Sequence, residues 1–321
     1  MKAIGGYFGL ETGAVNADYP FLNAVGLNSG RHALEYILSG ISPRPLRIHI
    51  PYYTCEVVLE PLRRLGVSFS FYHIDENLGI SDLPVLHEGE YIIVNNYFGI
   101  KDSHIHQLYL HYGDRMIVDC AQSFFAPREG GMKMFFSPRK FIGVADGGYA
   151  WPGVVPDIDL PQDYSTDRSI HLLRRIDAGA EAGFREFQRD DETLSSEPVK
   201  RMSNLTRSIL ESTDCKEIIR RRRSNFETLH NALASKNRLC IPDCDSFVCP
   251  MVYPLWTDDK SLRQRLIENK IFVATYWPNV FDWCDVDSIE YRMAEHIIPL
   301  PIDQRYGEED MQRIINIIKE R

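Results

Sequence analysis

With 321 residues, 44% of them hydrophobic, the chain is long enough for one large or two ordinary domains around a sizeable core. Its 36 Lys and Arg against 45 Asp and Glu give a net charge of −9, which excludes an overall basic field for nucleic acid or an anionic membrane. An anionic ligand therefore needs a local positive site.

The opening MKAIGGYFGL lacks the apolar core of a signal peptide, and no window approaches the roughly 20 apolar residues of a membrane span. The reading is a cytoplasmic protein that engages neither nucleic acid nor membrane. LNSGRHALEYIL puts a Ser-Gly turn at the start of a helix, where free N–H groups and the helix dipole hold a phosphate. LRIHIPYY reads as a strand, and CEVVLEPLRRLG as a helix closed by Gly66. VSFSFYHI, YIIVNNYFG and RMIVDCAQ follow as strands, with SHIHQLYLHYGD as a crossover helix between the last two.

This alternation predicts an α/β fold with a mostly parallel sheet, helices on both faces, and a ligand beyond the carboxyl ends of the strands. Tyr52 to Thr54, Asn95 to Tyr97 and Asp119 to Gln122 occupy those ends. Residues 163–195 are polar, with a helix around HLLRRIDAGAEAGFREFQRDDE. A helical pattern from Met202 to about Ala234 reads as a link between two domains. FVCPMVYPLW, SLRQRLIENK, the strand IFVATYW, HIIPLPID and EEDMQRIINIIKER alternate on a smaller scale, as in a compact α+β domain. The division is a large domain over 1–205 and a linking helix with a small C-terminal domain over 206–321.

Seven cysteines form an odd, scattered set, which points to reduced thiols. Cys240, Cys244 and Cys249 lack a C-x-x-C pair and a nearby histidine, and His104 and His106 point to opposite helix faces, so no metal site is read. The run Arg220 to Arg223 surrounds a helix and reads as solvated.

Chemistry concentrates in two places. Asp119 ends the apolar strand RMIVD, where a carboxylate can hold a proton on a heterocyclic nitrogen. Lys140 follows 21 residues later within FFSPRKFIGVADGGYA, close enough for one strand and a turn to bring both to one cleft. In a partly desolvated site its amine attacks carbonyls to form a Schiff base. A phosphate-binding helix start, an acid for a pyridine nitrogen and a lysine for an aldehyde are the handles of pyridoxal phosphate. By their flanks alone, Asp119 also serves as a cap and Lys140 as a solvated lysine before a Gly-Gly turn.

NSGRHAL, IPYYTCEVVLEPLRRLG, YFG, IVDCAQS, SPRKFIGVADGG and KRMSNLTRSIL stand in the order found in the DegT/DnrJ-type aminotransferases, and the chain resembles that family over most of its length. The resemblance implies a fold type I pyridoxal-phosphate transferase acting on a keto sugar, nucleotide-linked, as in polysaccharide biosynthesis, with glutamate as the usual amino donor. It makes Asp119 the partner of the pyridine nitrogen, Gln122 the residue beside the ring hydroxyl, and Lys140 the lysine that carries the cofactor. Gly30, Arg31 and His32 take the turn that meets the phosphate, with Arg31 in place of the usual threonine.

Cys55 stands where relatives carry the aromatic residue stacked on the ring, which leaves Tyr53 or Tyr52 for that task; Tyr53 as core packing is an even alternative. Phe135 stands at the family's phosphate-binding serine, which leaves Ser137. Tyr276 and Trp277 either border the substrate cleft or belong to the core. The resemblance further implies a homodimer with shared active sites, to which Arg201 and Asn204 are candidate contributors. A related sugar dehydration is the rival reaction, against which retention of Lys140 argues, and a catalytically idle binding relative is the rival from another class.

Overall fold

The computed structural model describes residues 6–151, 159–179 and 181–320. Residues 1–5 of the N-terminal segment read above, and Ala180 within the expected helix around 171–192, lie outside the described residues.

Continuous apolar runs dictate a central sheet buried on both faces, as parallel strands require. The strands are β1 (Val25–Leu27), β2 (Arg47–Pro51), β3 (Ser68–Tyr72), β4 (Glu90–Asn95), β5 (Met116–Cys120), β6 (Lys133–Phe136) and β7 (Gly148–Trp151). Their order is β1-β7-β6-β5-β4-β2-β3, parallel except for β7, which runs antiparallel to both neighbours. Alternate side chains go to opposite layers. Ile93, Ile117, Phe135 and Ala150 pack towards α1 (Gly30–Ser39) and α2 (Leu59–Leu65), while Val94, Val118, Met134 and Phe136 face the larger core. Gly66, in the left-handed region at φ 65°, closes α2 as its residue type predicts.

The crossover helix α3 (Asp102–Tyr112) is present where expected. The helix expected around 171–192 is two helices, α4 (Ile170–Ala178) and α5 (Phe184–Ser196), parted at Gly179 with φ 87°. The pattern from Met202 to Ala234 is also broken, into α6 (Asn204–Glu211) and α7 (Cys215–Leu233). Asp214 starts α7 by accepting a hydrogen bond from the Glu217 N–H at 3.0 Å, so a local cap overrides the continuous apolar period.

Beyond α7 come β8 (Val252–Trp256), α8 (Leu262–Glu268), α9 (Val280–Trp283), α10 (Ile289–His296), β9 (Ile297–Pro301) and α11 (Glu308–Lys319). The strands β8 and β9 form an antiparallel pair. IFVATYW is not a strand: the segment is irregular and ends at Trp277, whose φ of 58° no strand tolerates. Among the described residues no helix is long and apolar enough to cross a membrane.

Candidate active site

Register brings Asn95, Asp119 and Phe135 side by side at the carboxyl ends of β4, β5 and β6. Beyond them lies a cavity of about 280 Å³, lined by Gly30, Arg31, Asp119, Gln122, Ser137 and Lys140 among others. Six of the eight residues singled out from the sequence thus share one cleft, and the two that do not are His32 and Tyr53.

At one end sits the start of α1. Ser29 caps it through Oγ, which accepts from the His32 N–H at 3.2 Å. Ser137 flanks the same turn, its Cβ 3.5 Å from where a Cβ on Gly30 would lie. Arg31 lines the cavity, but its Nε rests 2.7 Å from Glu60 Oε2, so a carboxylate already offsets the charge expected to meet a phosphate.

Of the three residues of the turn, His32 does not line the cavity, and its N–H is already given to Ser29 Oγ. It is fully buried behind the helix start, with Nε2 2.8 Å from the Glu197 carbonyl and Nδ1 2.9 Å from Ser29 Oγ. A carbonyl only accepts, so Nε2 carries the proton and Nδ1 accepts from the serine hydroxyl. Burial pulls its pKa down to about 4. The folded state therefore binds fewer protons than the unfolded chain between pH 6.5 and 4, and stability present above that window is lost as pH falls through it. The expected contribution is about 3 kcal/mol. Urea unfolding of wild type and His32→Gln at pH 7 and pH 4.5 checks it, the variant showing the smaller acid loss.

At the other end, Asp119 is buried and its Oδ1 accepts from the Ala121 N–H at 2.8 Å. Burial pushes the carboxyl up from its ordinary value, and the nearby Lys140 charge pulls the other way. Gln122 Oε1 accepts from the Phe98 N–H at 2.8 Å, which holds Phe98 in the left-handed region at φ 55°. That bond fixes the amide so that Nε2 is buried without a partner among the described residues. Asn95 donates to Thr54 Oγ1 at 2.9 Å and leaves Oδ1 equally unmatched. A cavity wall holding an unpaired donor, an unpaired acceptor and a buried carboxylate is built for a polar ring.

Lys140 closes a 3₁₀ turn, Pro138–Lys140, that follows β6. Its side chain is exposed, so the partly desolvated lysine expected above is not provided by the described residues alone. The next residue, Phe141, is gripped from behind: Gln304 Nε2 donates to its carbonyl at 2.7 Å, and the Arg222 guanidinium lies 4.5 Å over its ring. Arg222 is fully buried and donates to the Met251 carbonyl at 2.9 Å, so this member of the arginine run is not solvated.

Tyr53 is core and does not reach the cavity. It is buried with its ring edge-on to Trp277 at 4.7 Å, and Tyr52 instead stacks on Phe71 at 4.6 Å. The cavity wall there is Cys55 and Trp277. Burial raises the Cys55 thiol pKa, with Lys140 lowering and Asp119 raising it, so all three share one electrostatic neighbourhood. Trp277 is held in its strained backbone by Asn279, which donates to the Thr54 carbonyl at 3.0 Å.

Arg201 and Asn204 do not line the cavity. Sequence reasoning assigned nothing to Arg139, Phe187 or Asp191, which do; for the last two the only signal was their place in a polar helical stretch. Nor did it assign Asp146, whose buried carboxylate accepts from the Ser203 N–H at 2.9 Å and from its hydroxyl at 2.7 Å, behind the serine that caps α6.

No family model matches the chain, and no curated protein sequence does. Solved structures match across nearly its whole length. The sugar aminotransferase CalS13 from Micromonospora echinospora is 19% identical, with 92% of this chain and 86% of that one covered at a TM-score of 0.62. DesV from S. venezuelae, solved in complex with a ketimine intermediate, is 18% identical over 92% and 84%, with a TM-score of 0.64. A DegT DnrJ EryC1 StrS aminotransferase from Brucella abortus is 15% identical over 92% and 85%, at 0.63. The fold of this chain is that of the DegT/DnrJ-type sugar aminotransferases.

Proposed function

We propose that the protein is a pyridoxal-phosphate aminotransferase that moves an amino group from an amino acid, glutamate first, to a nucleotide-linked keto sugar. The observation that carries this is the convergence of Lys140, buried Asp119 and the unpartnered Gln122 Nε2 in one cavity beside the start of α1. These residues fit the cofactor: an acid for its ring nitrogen, a donor for its ring oxygen, a lysine for its aldehyde and a helix start for its phosphate. The neighbouring folds belong to sugar aminotransferases, which favours the same reaction.

Bound there, pyridoxal phosphate supplies an aldehyde that captures amines and a ring that takes up the electrons of a broken C–H bond. Asp119 keeps a proton on the ring nitrogen. Gln122 donates to the ring oxygen, and the Gly30 and Arg31 N–H groups with Ser137 Oγ take the phosphate. Lys140 Nζ, gripped through Phe141, would take up and return the proton of the donor's alpha carbon. Trp277 and Leu194 supply apolar walls to the same cavity.

The division after residue 205 and a homodimer with shared sites belong to this reading. Exposed Leu173, Ile176 and Phe184 on α4 and α5 support an association surface.

The deciding experiment mixes cofactor-loaded protein with glutamate and a panel of other amino donors, without acceptor. Expected is one equivalent of 2-oxo acid per site and conversion of the cofactor to its amine form. If every donor leaves the cofactor unchanged while it stays bound, the aminotransferase reading falls and a binding module takes its place.

A further inference from the structure

Arg139, immediately before the lysine, lines the cavity and has no role in the reading above. Its Nη1 donates to Asp191 Oδ1 at 2.6 Å, and its guanidinium lies 5.7 Å from the Phe187 ring, both on α5. Its other two nitrogens, Nε and Nη2, are buried and bond to nothing among the described residues. An arginine fork with one prong anchored and two buried nitrogens unmatched is costly unless an anion fills it.

Position in the fold says which anion. Arg139 lies two residues after Ser137, which flanks the start of α1. The helix that carries its partners is tied to α1, since His32 Nε2 donates to the carbonyl of Glu197, the residue that ends α5. Phe135 offers no donor at the end of β6, and Arg31 already faces Glu60. Among the lining residues Arg31, Arg139 and Lys140 stand against Asp119 and Asp191, a local balance of +1 in a chain of −9. Asp191 is on the rim, with its side chain 59% exposed, and holds only Nη1 of Arg139, so Nε and Nη2 are left to face an anion inside.

We propose that Arg139 recognises the phosphate of the cofactor, donating through Nε and Nη2 at the start of α1. This rests on the functional reading above and assigns the phosphate cation that the reading lacks. Asp191 aims the fork, and a lysine at 139 keeps the charge but loses the paired geometry.

The test titrates the full chain with pyridoxal 5′-phosphate and with pyridoxal, which has the ring but no phosphate, reading absorbance and tryptophan quenching. Wild type is expected to prefer the phosphorylated ligand strongly. Arg139→Gln is expected to weaken that ligand about 10- to 100-fold and leave pyridoxal unchanged; Arg139→Lys falls between. If Arg139→Gln weakens both ligands equally, the residue is structural and the proposal is overturned. If it leaves both unchanged and raises only the KM of an anionic amino donor, the residue reads substrate and the proposal is again overturned. A wild type that binds neither ligand overturns the functional reading and the inference together, whereas a wild type that binds and a variant that keeps its preference overturn the inference alone.

Discussion

Lys140→Ala is expected to abolish covalent capture of pyridoxal phosphate and to lower aminotransferase turnover by at least about a thousandfold. Lys140 is the sole lysine among the described residues that line the cavity, so none of them can replace its amine. The substitution removes an exposed side chain from a turn held by other atoms: the Phe141 N–H on the Pro138 carbonyl at 2.8 Å and Gln304 on the Phe141 carbonyl. Stability should therefore change by no more than about 0.5 kcal/mol, as for surface substitutions generally. The measurement is mass spectrometry after borohydride treatment of cofactor-loaded protein, beside thermal unfolding of both chains. Wild type should carry the cofactor at Lys140 and the variant should carry none. Labelling of the variant at another lysine would move the chemistry elsewhere and remove the ground for the functional reading.

Much of this was legible in the sequence because the signals were local. Apolar runs ending in Asn95 and Asp119 announced parallel strands, and the carboxyl ends of such strands are where ligands bind. Ser29 before Gly30 announced a capped helix start. What was not legible depended on contacts across the chain. His32 and Arg31 sit in the same turn, yet the carbonyl of Glu197 takes one side chain and Glu60 the other, and neither partner follows from the turn itself. Tyr53 and Trp277 exchange roles for the same reason: Asn279 pins a strained loop so that the tryptophan reaches the cavity and the tyrosine packs behind it. The run IFVATYW, apolar but for Thr275, read as a strand, but the segment is irregular, stands next to Pro278 and ends in a residue at positive φ.

Gly147 and Gly148, read from the sequence as a turn, are instead the floor on which α1 rests. A Cβ on Gly148 would lie 2.1 Å from the Ser29 carbonyl oxygen and 2.5 Å from the Gly30 nitrogen, both backbone atoms at the α1 end of the cavity. Nothing there can rotate away, so Gly148→Ala must push β7 and the helix start apart. The loss expected is about 3 kcal/mol or more, at the upper end of overpacking effects. Cofactor binding should weaken with it, because the displaced atoms include the Gly30 N–H assigned to the phosphate. Gly147, at φ 119°, is constrained by its backbone rather than by that contact. Gly143 provides the control: a Cβ there meets only a Leu172 methyl at 3.7 Å, so Gly143→Ala should fold and bind like wild type. Urea unfolding of the three chains, followed by cofactor titration of those that fold, separates the outcomes. A Gly148→Ala protein as stable as wild type would mean that α1 does not lie against β7 as described, and the phosphate end of the site would have to be redrawn.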